Sequence, residues 1–185
     1  MRIFKLTLIA AAGLIALSAT AEAVDVKKRR EAPGTPAEVW AIVGDFCAIK
    51  TWHPAVAECE QVKENEVVFR TLTLKDGAKI KEKLTKTGDT SYSYEIVESP
   101  LPVENYSAEL MVGEDDEENR VEIVWTAKFD AKGASDEEAT KVISGIFDAG
   151  LTGIKKTAIA ADDKKREAAG DAPAHTPADK DDDKD

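Results

Sequence analysis

The sequence predicts an α+β domain: a curved, seven-stranded antiparallel sheet around one long C-terminal helix, with two short helices after the first strand. Three observations carry this. From Ser135 to Ala160, Val142, Ile143, Ile146, Phe147, Leu151 and Ile154 fall on one side, the 3.6-residue period of an amphipathic helix. Residues 24 to 130 read mainly as alternating strands between turn residues, the period of two. A long helix with one apolar side needs a surface, and the strands supply a sheet. The expectation is that the sheet grips the helix and leaves a cavity between them.

The helix carries its own boundary signals. Ser135 and Glu138 form a capping box, in which the serine oxygen accepts an orphan N–H and the glutamate reaches back. Lys155 and Lys156 complement the negative end of the dipole near Ala160. The chain has 185 residues, enough for one domain with a core.

Residues 1–23 read as a secretory signal peptide: Arg2 and Lys5, the apolar run Leu6–Leu17, then Ala21-Glu22-Ala23 as the cleavage signal. The expected location is the bacterial periplasm. The formal charge is −11, and without Arg2, Lys5 and Glu22 the remainder carries −12. That argues against nucleic acid or an anionic membrane surface as a main partner and suits a basic protein. Cys47 and Cys59 are the two cysteines; in an exported chain an even pair reads as a disulfide. Two cysteines and His53 are too few for a closed zinc site, and no cofactor is expected.

In order, Val24 to Ala32 reads as an edge strand, its basic run Lys27–Arg30 a solvated face that deters sheet association. Thr35-Pro36-Ala37-Glu38 is a second capping box with proline in the first turn. A short helix follows through Val39, Trp40 and Val43. Gly44-Asp45 breaks it, Phe46 to Lys50 forms another turn, and Pro54 ends the segment before a strand at Val56–Val62.

The hairpin from Glu66 to Thr87 turns at Lys75-Asp76-Gly77-Ala78. A two-residue Asp-Gly loop would mix leucines with lysines. A three-residue loop with a bulge, read as setting Leu74 opposite Ile80 and Leu72 opposite Glu82, gathers Leu72, Leu74, Ile80 and Leu84 on one face. Arg70 and Glu82 then share that apolar face as diagonal neighbours. They are either a structural ion pair or the polar end of a hydrated ligand cavity.

Further strands place Tyr92, Tyr94 and Ile96, then Tyr106, Ala108, Leu110 and Val112, then Val121, Ile123, Trp125, Ala127 and Phe129 on inner faces. The aromatics either fill a core or line a cavity. Residues 161–185 hold no apolar residue except alanine and end in an acidic run; this tail, with His175, is expected to be disordered.

The run Asp45-Phe46-Cys47-Ala48-Ile49-Lys50-Thr51-Trp52-His53-Pro54, with Phe69–Gly77 and Tyr94-Glu95-Ile96-Val97, resembles the SRPBCC (START-like) superfamily in its polyketide cyclase/dehydrase branch. Within it the chain is similar to exported MxaD-like proteins. The resemblance covers residues 24–158. It implies a helix-grip (START/birch-pollen-allergen-like) domain over 24–160 with a deep cavity for a small hydrophobic or amphipathic molecule. By comparison with plant abscisic-acid receptors, Lys75–Ala78 occupies a gate position and Pro100-Leu101-Pro102, ahead of Asn105-Tyr106, a latch position. The lysine that holds a hormone carboxylate there is Ala57 here.

The candidate ligand-binding residues are Trp52, His53, Arg70, Leu72, Leu74, Glu82, Tyr94, Tyr106, Trp125 and Phe147. His53 is the domain's only histidine; as a general base it needs a carboxylate, and Asp45 is near in sequence. There is no nucleophile elbow or phosphate loop. Three functions remain open: a non-catalytic periplasmic binder, an accessory protein to a periplasmic alcohol or methanol dehydrogenase, and an enzyme of the cyclase/dehydratase type.

Overall fold

The computed structural model describes residues 23–171. The proposed signal peptide up to residue 22 and residues 172–185, His175 included, lie outside the described residues. The order is β1 (Val24–Pro33), α1 (Pro36–Val43), α2 (Ile49–Trp52), β2 (Val56–Glu64), β3 (Val67–Leu74), β4 (Lys79–Thr87), β5 (Ser91–Glu98), β6 (Val103–Glu114), β7 (Arg120–Ala131) and α3 (Asp136–Ala169). One antiparallel sheet runs β1-β7-β6-β5-β4-β3-β2, with β1 and β2 at its edges. Both capping boxes form, Thr35 with Glu38 and Ser135 with Glu138. The arrangement is the expected helix grip.

The core lies between the sheet and α3, with α1 and α2 closing one end. Val121, Ile123, Trp125, Ala127 and Phe129 of β7 share one buried cluster with Ile143, Phe147, Leu151 and Ile154 of α3, and Trp125 stacks on Phe147 across it. Such side chains each contribute about 1.5–3 kcal/mol on burial. Bulges interrupt β2–β3, β4–β5 and β6–β7 pairing, and bulges bend and twist a sheet. At the β6 bulge Asn105 takes φ 52°, and its Nδ2 donates to Asp130 at 2.7 Å.

Four differences from the sequence reading have physical causes. First, α3 continues to Ala169 and ends at Gly170, which adopts φ 84°, the left-handed cap glycine favours. Its last nine residues were expected to be disordered tail; alanine-rich, charged sequence extends a helix that is already nucleated. Second, Val142 is 38% exposed, and Ala139, Gly150 and Ala158 complete the buried stripe instead.

Third, the β3–β4 register is Leu72 opposite Ile80 and Arg70 opposite Glu82. The loop is Lys75-Asp76-Gly77, closed by Leu74 N–H on the Ala78 carbonyl at 2.8 Å. The expected pairing was two residues off. Because side chains alternate, a two-residue slip preserves the face, so Arg70 and Glu82 remain inside but meet directly rather than diagonally. Fourth, the basic run of β1 alternates. Lys28 turns towards α3 and pairs with Asp148 at 2.9 Å, while Arg29 faces out to Glu122.

Candidate functional site

A cavity of about 60 Å³ remains between sheet and helix. Eight of the ten sequence-predicted residues line it. Leu72 and Leu74 come from β3, Glu82 from β4, and Tyr94, Tyr106 and Trp125 from β5, β6 and β7. Phe147 of α3 and His53, just after α2, complete the set. Ile80, Ile96, Leu101, Ile143 and Ile146 also face it; the sequence placed them on inner faces or at the latch position but not among the candidate ligand-binding residues. Leu74 and Leu101 bring the two loops likened to a gate and latch to the cavity.

The cavity is far smaller than the deep hollow expected, since pockets for drug-sized ligands run to about 300–1,000 Å³. Aromatic rings occupy much of the gap. Trp125 stacks on Phe147 at 4.3 Å and meets Trp52 edge-on at 5.7 Å. Trp125 Nε1 donates to the Tyr94 hydroxyl at 3.0 Å, which holds the indole flat against the helix. Tyr106 stacks on Phe129.

Arg70 and Trp52 stand behind the wall rather than on it. Arg70 is fully buried. Its Nε donates to Glu82 Oε2 at 2.5 Å and its Nη1 to the Phe46 carbonyl. The guanidinium lies 3.9 Å from the Phe46 ring centroid and 5.2 Å from that of Tyr94, an aromatic surround that favours a cation. Its Nη2 and the Tyr92 hydroxyl have no hydrogen-bond partner among the described residues. Burial pulls the Arg70 pKa down, but the Glu82 carboxylate and nearby tyrosines more than restore it, so the charge is kept. Burial pushes Glu82 above its usual value, and Arg70 offsets only part of that. The bond to Phe46 was not legible in the sequence, because it joins the α1–α2 connection to β3.

The Cys47–Cys59 disulfide ties that same connection to β2. It anchors the neighbour of Phe46, whose carbonyl Arg70 uses.

His53 is 5% exposed and committed at both nitrogens. Nε2 lies 3.1 Å from the Ile146 carbonyl, and Nδ1 accepts from Ala55 N–H at 3.2 Å. A carbonyl can only accept and an N–H only donate, so the ring is the neutral Nε2–H tautomer. Burial lowers its pKa. Asp45 does not meet it; its carboxylate caps Cys47 N–H at 2.8 Å. The expected acid–base pair is therefore not assembled, and His53 instead straps the loop to α3.

Two residues that the sequence reading passed over make this seat possible. A Cβ on Gly153 would lie 1.8 Å from the Trp52 carbonyl oxygen. One on Gly150 would lie 2.6 Å from Trp125 and 2.7 Å from His53. The signal was two glycines three apart inside a long helix, where glycine is otherwise unfavourable by about 1 kcal/mol.

Known proteins share this architecture. Residues 23–158 match the family model for polyketide cyclase/dehydrase and lipid transport. The Bacillus cereus protein XoxI is 30% identical, with a TM-score of 0.69 over 73% of this chain and 95% of its own. A Streptomyces aromatase/cyclase, Zhui, is 16% identical, with a TM-score of 0.62 over 82% of this chain and 100% of its own. A START superfamily protein from Mycobacterium smegmatis is 10% identical, with a TM-score of 0.63 over 74% and 98%. The last two share the fold alone. No curated protein matches the chain.

Proposed function

The chain belongs to the polyketide cyclase/dehydrase and lipid-transport family, and from that premise we propose that it binds a small, largely apolar molecule in the cavity beneath Leu74 and Leu101, without reacting it. The observation that carries this is the composition of the wall. Among the described residues lining it, Glu82 is the one acid and the rest is apolar, aromatic or the neutral His53. An apolar enclosure with few placed polar groups is the usual form of a binding site.

Absence of turnover is argued from His53. Its nitrogens are both hydrogen-bonded and its pKa is lowered. Glu82 is held in an ion pair by Arg70, and His53 has no carboxylate beside it to raise its basicity. The periplasm is the proposed location, on the leader-like residues 1–23 and on a disulfide of the kind that persists in oxidising compartments. The test is native mass spectrometry of the protein purified from its own periplasm, followed by solvent extraction. A bound small molecule released unchanged is expected. An empty protein that converts an added small molecule would overturn the reading.

A further inference from the structure

Resting on that reading, we infer that the ligand is recognised through an uncharged hydroxyl, an alcohol or phenol, that donates to Glu82, and that anionic ligands are excluded. Glu82 lines the cavity. Among the described residues Arg70 alone bonds its carboxylate, and only Oε2 is used. The other oxygen is left to accept, so the wall asks the occupant for a donor.

No cation answers an anion there. The lining has no lysine or arginine. Arg70 is sealed behind the wall with its charge spent on Glu82. The Nε2–H of His53 is given to Ile146. A carboxylate would shed water beside a carboxylate, which is strongly unfavourable without a paired charge. An ammonium would add a cation to a pair that is already neutral. A hydroxyl donates a hydrogen bond without carrying a charge, so it can satisfy Glu82 at no cost in buried charge. The cavity is about 60 Å³, against about 300–1,000 Å³ for pockets that take drug-sized ligands, so the occupant is compact.

The test uses the full mature chain with its disulfide intact and three matched probes: 1-butanol, butyrate and butylammonium. The readout is the indole N–H resonance of Trp125 by NMR, since that proton is bonded to Tyr94 at the cavity wall. Butanol is expected to shift it saturably, binding at least about tenfold tighter than butyrate or butylammonium, the ratio for one hydrogen bond to a charged group. In the Arg70→Met/Glu82→Leu double variant, which leaves no unpaired charge, butanol should lose that advantage. Equal or tighter binding of butyrate or butylammonium overturns the hydroxyl assignment and leaves the cavity reading standing. So does an unchanged preference in the double variant. No shift with any probe up to its solubility removes the cavity reading itself.

Discussion

Alanine substitutions at three glycines of α3 should have opposite signs, and the difference measures how tightly the helix is seated. By helix propensity alone each Gly→Ala change stabilises by about 0.5–1 kcal/mol. Gly145 is exposed, with no atom within 4 Å of the place a Cβ would take, so Gly145→Ala should deliver that gain. At Gly153 the added carbon would sit 1.8 Å from the Trp52 carbonyl oxygen and 2.9 Å from its carbonyl carbon. Both are main chain and cannot swing aside. Helix and loop must part by roughly 1.5 Å to reach van der Waals distance. That disturbs the packing of Trp52 on Trp125, and overpacking of this kind costs about 1–3 kcal/mol or more.

The net expectation for Gly153→Ala is a loss of at least about 2 kcal/mol. For a domain of this size it should lower Tm by about 5–8 °C. Gly145→Ala should raise it by about 2 °C. Gly150→Ala falls between, because its neighbours are rings that can shift. Thermal and urea unfolding followed by circular dichroism, on oxidised protein, gives all three. Gly153→Ala as stable as Gly145→Ala would refute the reasoning, since the helix would then not touch the Trp52 backbone.

The remaining predictions concern the buried polar groups and the cross-link. Arg70→Met leaves the Glu82 carboxyl buried and unpaired and should destabilise by about 3–5 kcal/mol; Arg70→Met/Glu82→Leu should recover most of it in urea unfolding, and a double variant no more stable than the single would show that Arg70 matters mainly for Phe46. Replacing Cys47 and Cys59 with alanine opens a loop spanning 12 positions and should remove about 3 kcal/mol by chain entropy, read as a lower urea midpoint with a slope no smaller than that of the oxidised protein. His53 is pushed below its usual value by burial, with the Ile146 carbonyl opposing, so between that lowered value and about 6.5 the unfolded chain holds more protons and stability falls as pH drops. Glu82 has the opposite sign: its raised pKa makes its contribution largest below about 4.5 and smaller as pH rises. The His53 share is therefore the part of the pH 7.5-to-5.5 change in urea midpoint that His53→Gln abolishes; an unchanged pH profile in that variant would contradict the buried, neutral imidazole.

Local periodicity determined most of the fold. Alternation in 92–96, 106–112 and 121–129 named the inner faces, and the same residues are buried or half-buried. Capping boxes at Thr35 and Ser135 named two helix starts. The inward placement of Arg70 and Glu82 was readable too, and it survived a register error because a slip of two residues keeps every side chain on its face. Each of these signals acts over a few residues, where backbone geometry and polarity suffice.

Tertiary structure decided what fills the space. That Arg70 turns away from the cavity to Phe46, that His53 is spent on Ile146 rather than Asp45, and that Gly153 lets the helix rest on Trp52 all join segments 24 to 101 residues apart. The size of the cavity follows from those contacts. A side chain's period says which way it points, but only the distance between two packed surfaces says how much room is left between them.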